Sequence, residues 1–132
     1  MQRIHVEDVK APKYTYKQLD AYKEAKKLVM MVYAVLKQFP KEETYALSDQ
    51  LRRAAVSVPS NIAEGSGRTS AKDQAHFLEM AFGSLMEVSC QIDIACDLGY
   101  ISQEELGLLE QRVRAVAALL SGLRSKCLSL VH

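Results

Sequence analysis

The side chains able to do chemistry are few in this chain, and their spacing argues against a reaction. Asp73 and His76 stand three residues apart in helical sequence, a spacing that sets a carboxylate and an imidazole on one face and supplies half of a di-metal carboxylate centre. The other half needs a second histidine-bearing motif and two more inward carboxylates, and the remaining histidines, His5 and His132, lie at the chain ends. No metal is expected on this count. Ser57, Ser60 and Ser66 have no histidine base within their motif, and neither a phosphate-cradling glycine loop nor a dinucleotide fingerprint occurs. The chain is expected to have no catalytic residue, no cofactor and no small-molecule substrate. Cys90, Cys96 and Cys127 are odd in number, lack CxxC spacing and sit in apolar helical sequence, so they are expected as reduced thiols in the core.

The remaining polar features are basic. Arg52 and Arg53 are adjacent in a helical stretch, where neighbours point roughly 100 degrees apart, so both cannot turn fully away from the core. One reading pairs one of them with a carboxylate such as Glu64 or Glu87, to which the planar guanidinium is suited. The other groups both with Arg68 and Lys72, near a Gly-Ser-Gly loop, as a patch for nucleic-acid phosphates. Lys23, Lys26, Lys27 and Lys37 form either a solvated face or a phosphate-contacting one. Stacking aromatics are not interleaved with the Arg/Lys cluster, so base-specific readout is not indicated.

The elements that must hold these groups are helices. With 132 residues, 48% of them hydrophobic, only six glycines and three prolines, and a quarter charged, the chain has the composition of one helical globular domain. A formal charge of +1 gives no overall field toward nucleic acid or an anionic membrane, so any such binding must be local. The longest apolar run, Leu28–Leu36, is too short to span a bilayer, and no apolar signal core opens the chain, so a cytoplasmic location is expected.

Residues 1–16 have no consistent period and read as an N-terminal arm, 17–128 as the helical domain and 129–132 as a tail. The first helix begins near Gln18, carries Tyr22, Ala25, Val29, Val32, Tyr33 and Leu36 as its stripe, widened in its second half by Leu28, Met31, Val35 and Phe39, and ends at Phe39-Pro40. The second, capped by Thr44 or Ser48, keeps Leu47, Leu51, Ala54, Ala55, Val58 and Ile62 on one face across Pro59, which predicts a helix that kinks but continues. It breaks at Gly65-Ser-Gly67. Ser70 and Asp73 start a third helix that Gly99 ends. Its Phe82, Met86 and Cys90 lie outside the main stripe, so a second apolar side calls for subunit contact. Ser102 and Glu105 form a capping box for the fourth, whose leucines and valines alternate spacings of three and four from Leu106 to Cys127. The expectation is all-α: an antiparallel up-and-down four-helix bundle with a proline-kinked second helix.

The run FPKEETYALSDQLRRAAVSVPSNIAEGSGR, followed by Phe77, Gly83-Ser84-Leu85 with Glu87, and Leu98-Gly99-Tyr100, resembles the small bundle proteins encoded in intervening sequences of bacterial 23S rRNA genes. That family is similar to the accessory variability determinant of diversity-generating retroelements, a basic homopentamer that binds RNA and a reverse transcriptase. The resemblance covers about residues 17 to 126 and implies a homopentamer with an interaction role and an RNA or reverse-transcriptase-like protein partner. It supplies no catalytic residue. Arg52, Arg53, Ser57, Pro59, Asn61, Glu64 and Gly65 match the family pattern, and the last five are read as a structural motif. The near-neutral charge departs from the basic retroelement members and keeps open the alternative of a structural or protein-protein interaction module.

Overall fold

The computed structural model describes residues 16–131, so most of the N-terminal arm and His132 lie outside the described residues. A short 3-10 turn at Tyr16–Gln18 leads into four helices: α1 (Asp20–Leu36), α2 (Leu47–Ser66), α3 (Ala71–Asp97) and α4 (Gln103–Leu128). No strand occurs among the described residues. Each helix packs on its two cyclic neighbours, and neither diagonal pair, α1 with α3 or α2 with α4, is in contact. This is a four-helix bundle. Glu79 faces Arg124 while Gln74 faces Cys127, so partner numbers fall on α4 as they rise on α3.

The core forms where apolar side chains recur at helical spacing. Leu28, Leu51, Ile62, Leu85, Ile92, Leu109 and Leu120 are withdrawn from water almost completely; burying each such side chain stabilises the fold by about 1.5–3 kcal/mol before chain entropy is counted. The stripes on α2, α3 and α4 are those the spacing predicts. On α1 the buried residues are Ala21, Ala25, Leu28, Val32 and Val35, all but Ala21 within the expected stripe or its widening; Tyr22, Val29 and Leu36 are only partly buried, and Tyr33 is exposed. Tyr33 is amphipathic and keeps its hydroxyl wet at little cost, so periodicity alone mislocates it.

Helix ends agree with local chemistry in three of the four cases where a cap is expected. Ser102 Oγ accepts the Glu105 amide at 3.1 Å and Glu105 Oε1 accepts the Ser102 amide at 2.8 Å, the reciprocal box. Ser70 Oγ accepts the Asp73 amide at 3.1 Å. Gly99 takes φ +82° to turn the chain out of α3, a conformation that costs glycine little. The α2 start departs from expectation: Ala46 occupies the cap position with no side-chain bond, while Ser48 is buried inside the helix. A turn at Lys41–Glu43 delivers the chain to this end instead.

Helix α2 runs without interruption through Pro59, which leaves the Ala55 carbonyl without its amide donor four residues on. It ends at Ser66 with Gly67 as its cap, inside the expected Gly-Ser-Gly segment, and Gly65 belongs to its last turn. A Cβ at Gly65 would lie 2.9 Å from Phe77 Cβ, so α3 packs too closely here to leave room for a side chain. Phe77 Cβ is fixed to the α3 backbone and cannot swing aside. Gly65→Ala is therefore expected to lower stability by about 1–3 kcal/mol despite alanine's better helix propensity, whereas Gly83→Ala, with open space around it, is expected to be neutral or to stabilise by about 0.5–1 kcal/mol. Urea unfolding of both variants checks this; equal midpoints would contradict it.

The Glu105 carboxyl sits below the usual carboxylate range because the Ser102 backbone amide bonds to it, with Gln38 Nε2 adding a second bond at 2.6 Å from the segment following α1. A carboxyl lowered by folding contributes stability that is complete above its unfolded pKa and is lost as pH falls through the folded one. The stability gap between wild type and Glu105→Gln should thus be widest near neutrality and close in acid below the carboxylate range. A gap independent of pH, measured by urea midpoints, would remove Glu105 from the account.

Candidate functional site

Two of the family-pattern residues of α2, Ser57 and Gly65, meet α3 directly. Ser57 Oγ lies 2.8 Å from Ser84 Oγ on α3, and Asn61 Nδ2 donates to both the Ser57 carbonyl at 2.9 Å and the Ser57 hydroxyl at 3.0 Å. Pro59 is buried as well, on another side of the helix. Gly65 seats Phe77, and Glu64 holds Arg68 at 2.8 Å. A hydroxyl pair with an amide but no imidazole or carboxylate has no base to activate it, so this arrangement positions helices and performs no proton transfer.

The four candidate nucleic-acid residues do not form one cluster. Arg52 and Arg53 both reach back to Asp49, at 3.2 and 3.0 Å, rather than to Glu64 or Glu87. Their shared partner lies one turn earlier on the exposed side of α2, which is why neither needs to be internal. Arg68 is sixteen positions further on, roughly 24 Å along the axis. It stacks its guanidinium 4.5 Å over the Phe77 ring, and Lys72 is exposed nearby with no ion pair among the described residues. Gln74 ties this end together: its Nε2 donates to the Arg68 carbonyl at 2.8 Å, and Cys127 Sγ approaches its Oε1 at 3.8 Å. Arg124 and Lys126 therefore share a bundle end with Arg68 and Lys72, an addition that no sequence period announces because α4 must fold back to bring them there.

The candidate interface residues separate as well. Phe82 is half-buried against the core, beside Leu78, Leu120 and Arg124 in a small hollow between α3 and α4. Met86 and Cys90 are exposed, together with Met80, Ile94 and Leu98. Cys90 is thus not a core thiol; Cys96 and Cys127 are half-buried, and all three are free. Burial, reinforced by Asp97, Asp93 and Glu110, pushes the Cys96 thiol pKa up, which keeps it protonated and unreactive. Between α1 and α4, Arg112 bonds Glu24 and holds its carboxyl below the usual range, with Lys27 assisting. No group of three His, Cys, Asp or Glu residues placed to hold a metal exists among the described residues, and no described helix is long and apolar enough to cross a membrane.

Fold and surface together define a four-helix bundle with exposed apolar residues along α3. The chain belongs to the 23S rRNA-intervening sequence protein family, whose model matches residues 17–122. Among solved structures it is similar to a crystal structure of a protein of unknown function from the S23 ribosomal protein family of Bacteroides thetaiotaomicron VPI-5482, with a TM-score of 0.73 and 18% sequence identity, covering 79% of this chain and 97% of that one. At that identity the likeness speaks for the fold. A search of curated proteins finds no match.

Because the Asp49 pairs are half to largely exposed, solvent screens them. Replacing Arg52 and Arg53 together by Ala is expected to cost less than about 1 kcal/mol in urea unfolding. A loss of several kcal/mol would mean that one of them is held by a buried partner.

Proposed function

We propose that the protein is a non-enzymatic, self-associating accessory protein that contacts RNA through phosphates. The outer side of α3 carries the proposal. Met80, Met86, Ile94 and Leu98 are 40–54% exposed there, along roughly 27 Å of helix, and such a face in a small domain is covered by another chain. The family resemblance supplies the count of five. Arg68, Lys72, Arg124 and Lys126 at one bundle end are the RNA contacts: four cations suited to phosphate, without base-stacking aromatics beside them apart from Phe77, which Arg68 already covers. Repetition around an oligomer would let several modest contacts act together.

A formal charge of +1 favours a second reading, assembly with a protein partner and no nucleic acid. Light scattering of the purified full chain should give a multiple of the monomer mass, and RNA affinity should fall steeply with salt. Arg68→Ala with Lys72→Ala should reduce the log-log salt slope by roughly two per protomer engaged without unfolding the bundle. A monomer at micromolar concentration would sink the assembly; an oligomer that ignores RNA at low salt would leave the second reading.

A further inference from the structure

The outward faces of α1 and α3 carry matching patterns of opposite charge. On α1, Lys23, Lys26, Met30, Tyr33 and Lys37 recur at intervals of three and four, and all are exposed. On α3, Met80, Gly83, Glu87, Cys90, Ile94 and Asp97 recur likewise and are also exposed. Intervals of three and four lay a seam along one side of a helix, the requirement for knobs-into-holes packing against a second helix. Each seam holds an apolar pair between charged residues, Met30 and Tyr33 between lysines on one and Cys90 and Ile94 between Glu87 and Asp97 on the other. Over its whole length α3 carries Asp73, Glu79, Glu87, Asp93 and Asp97 against a single Lys72. Lys23, Lys26 and Lys37 make no ion pair among the described residues, nor do Glu87, Asp93 and Asp97.

We infer that the α3 face of one copy docks on the α1 face of the next, with a second copy of this chain as the occupant of both. The inference rests on the self-association proposed above and names its two surfaces. Pairing α3 with α3 would set Glu87, Asp93 and Asp97 against themselves, and pairing α1 with α1 would oppose lysines; like charges across an interface disfavour both. Crossing the two faces puts lysine against carboxylate and Met30 and Tyr33 against Cys90 and Ile94. Since α1 and α3 are diagonal in the bundle and both turn their buried stripes to the shared core, these outer faces point away from each other and cannot satisfy each other within one chain. The contact is heterologous: each copy gives one face and receives the other, so copies add head to tail and form a ring where the rotation between them closes. It also occupies the α1 lysines and leaves the Arg68 end free.

The test is a mixing experiment with full-length variants that each lose one face. Lys26→Glu with Met30→Glu cripples α1, and Cys90→Asp with Ile94→Asp cripples α3; both crippled faces are acidic and cannot rescue each other. By light scattering each variant alone should run at monomer mass, and an equimolar mixture should form a capped pair of twice that mass. Wild-type assembly retained by the α1 variant would overturn the α1–α3 contact and leave self-association intact. A monomeric wild type would overturn both. Should either variant fail to fold by circular dichroism, charge reversal alone decides: Lys26→Glu with Lys37→Glu should abolish assembly, and adding Glu87→Lys with Asp97→Lys in the same chain should restore it. Failure of that restoration overturns the contact.

Discussion

The close approach of α2 to α3 at Gly65 is the constraint on which the other positions depend. With no side chain at Gly65, Phe77 can stand where a Cβ would collide, and that proximity lets Ser57 reach Ser84 across the same seam. Hydroxyl pairs at helix contacts are short and directional, so they set the rotation of each helix about its axis as well as the distance between them. Once α3 is fixed in this rotation, Leu78, Leu85, Val88 and Ile92 face the core, and Glu87, Cys90 and Ile94 must face outward. The surface chemistry of α3 is thus a consequence of what happens on its opposite side.

Much of this was readable before any coordinates. Ser102 and Glu105 announce the start of α4, and Gly99 the end of α3, because caps and left-handed turns involve only residues a few positions apart. The core faces of α2, α3 and α4 follow from spacing for the same reason. What spacing does not carry is the third dimension. Gly65 reads as a helix breaker along the chain, and only the position of Phe77 shows it to be a packing glycine. Arg52 and Arg53 read as a problem of burial, and Asp49, a nearer partner than either carboxylate first considered, resolves it on the surface. Ser48 reads as a cap and is core. Phe82 and Cys90, both off the main stripe of α3, fall on different sides of it, one in the α4 seam and the other in water.

The candidate site shows the same division more sharply. Residues 57, 59, 61, 64 and 65 stand out as a motif in the sequence, yet they serve the fold: Ser57 bonds Ser84 on α3, Asn61 bonds Ser57, Pro59 is buried, Glu64 pairs with Arg68, and Gly65 makes room for Phe77. The surfaces open to a partner are legible only in part: the lysine face of α1 and a second side of α3 follow from spacing, whereas the Arg124 and Lys126 that α4 returns to the Arg68 end do not. Charge that cancels in the total is segregated by helix. A net value of +1 therefore conceals two faces of opposite sign, and these favour ordered self-contact over the diffuse attraction that a large net charge would give.

Zero-length carbodiimide coupling of lysine to carboxylate, on assembled protein mixed from light and 15N-labelled copies, tests the central claim most directly. Mass spectrometry of mixed-isotope peptides reports only links between copies. The account predicts such links from Lys26 or Lys37 to Glu87, Asp93 or Asp97. Assembled protein whose inter-copy links fall elsewhere, with none joining α1 to α3, would contradict it.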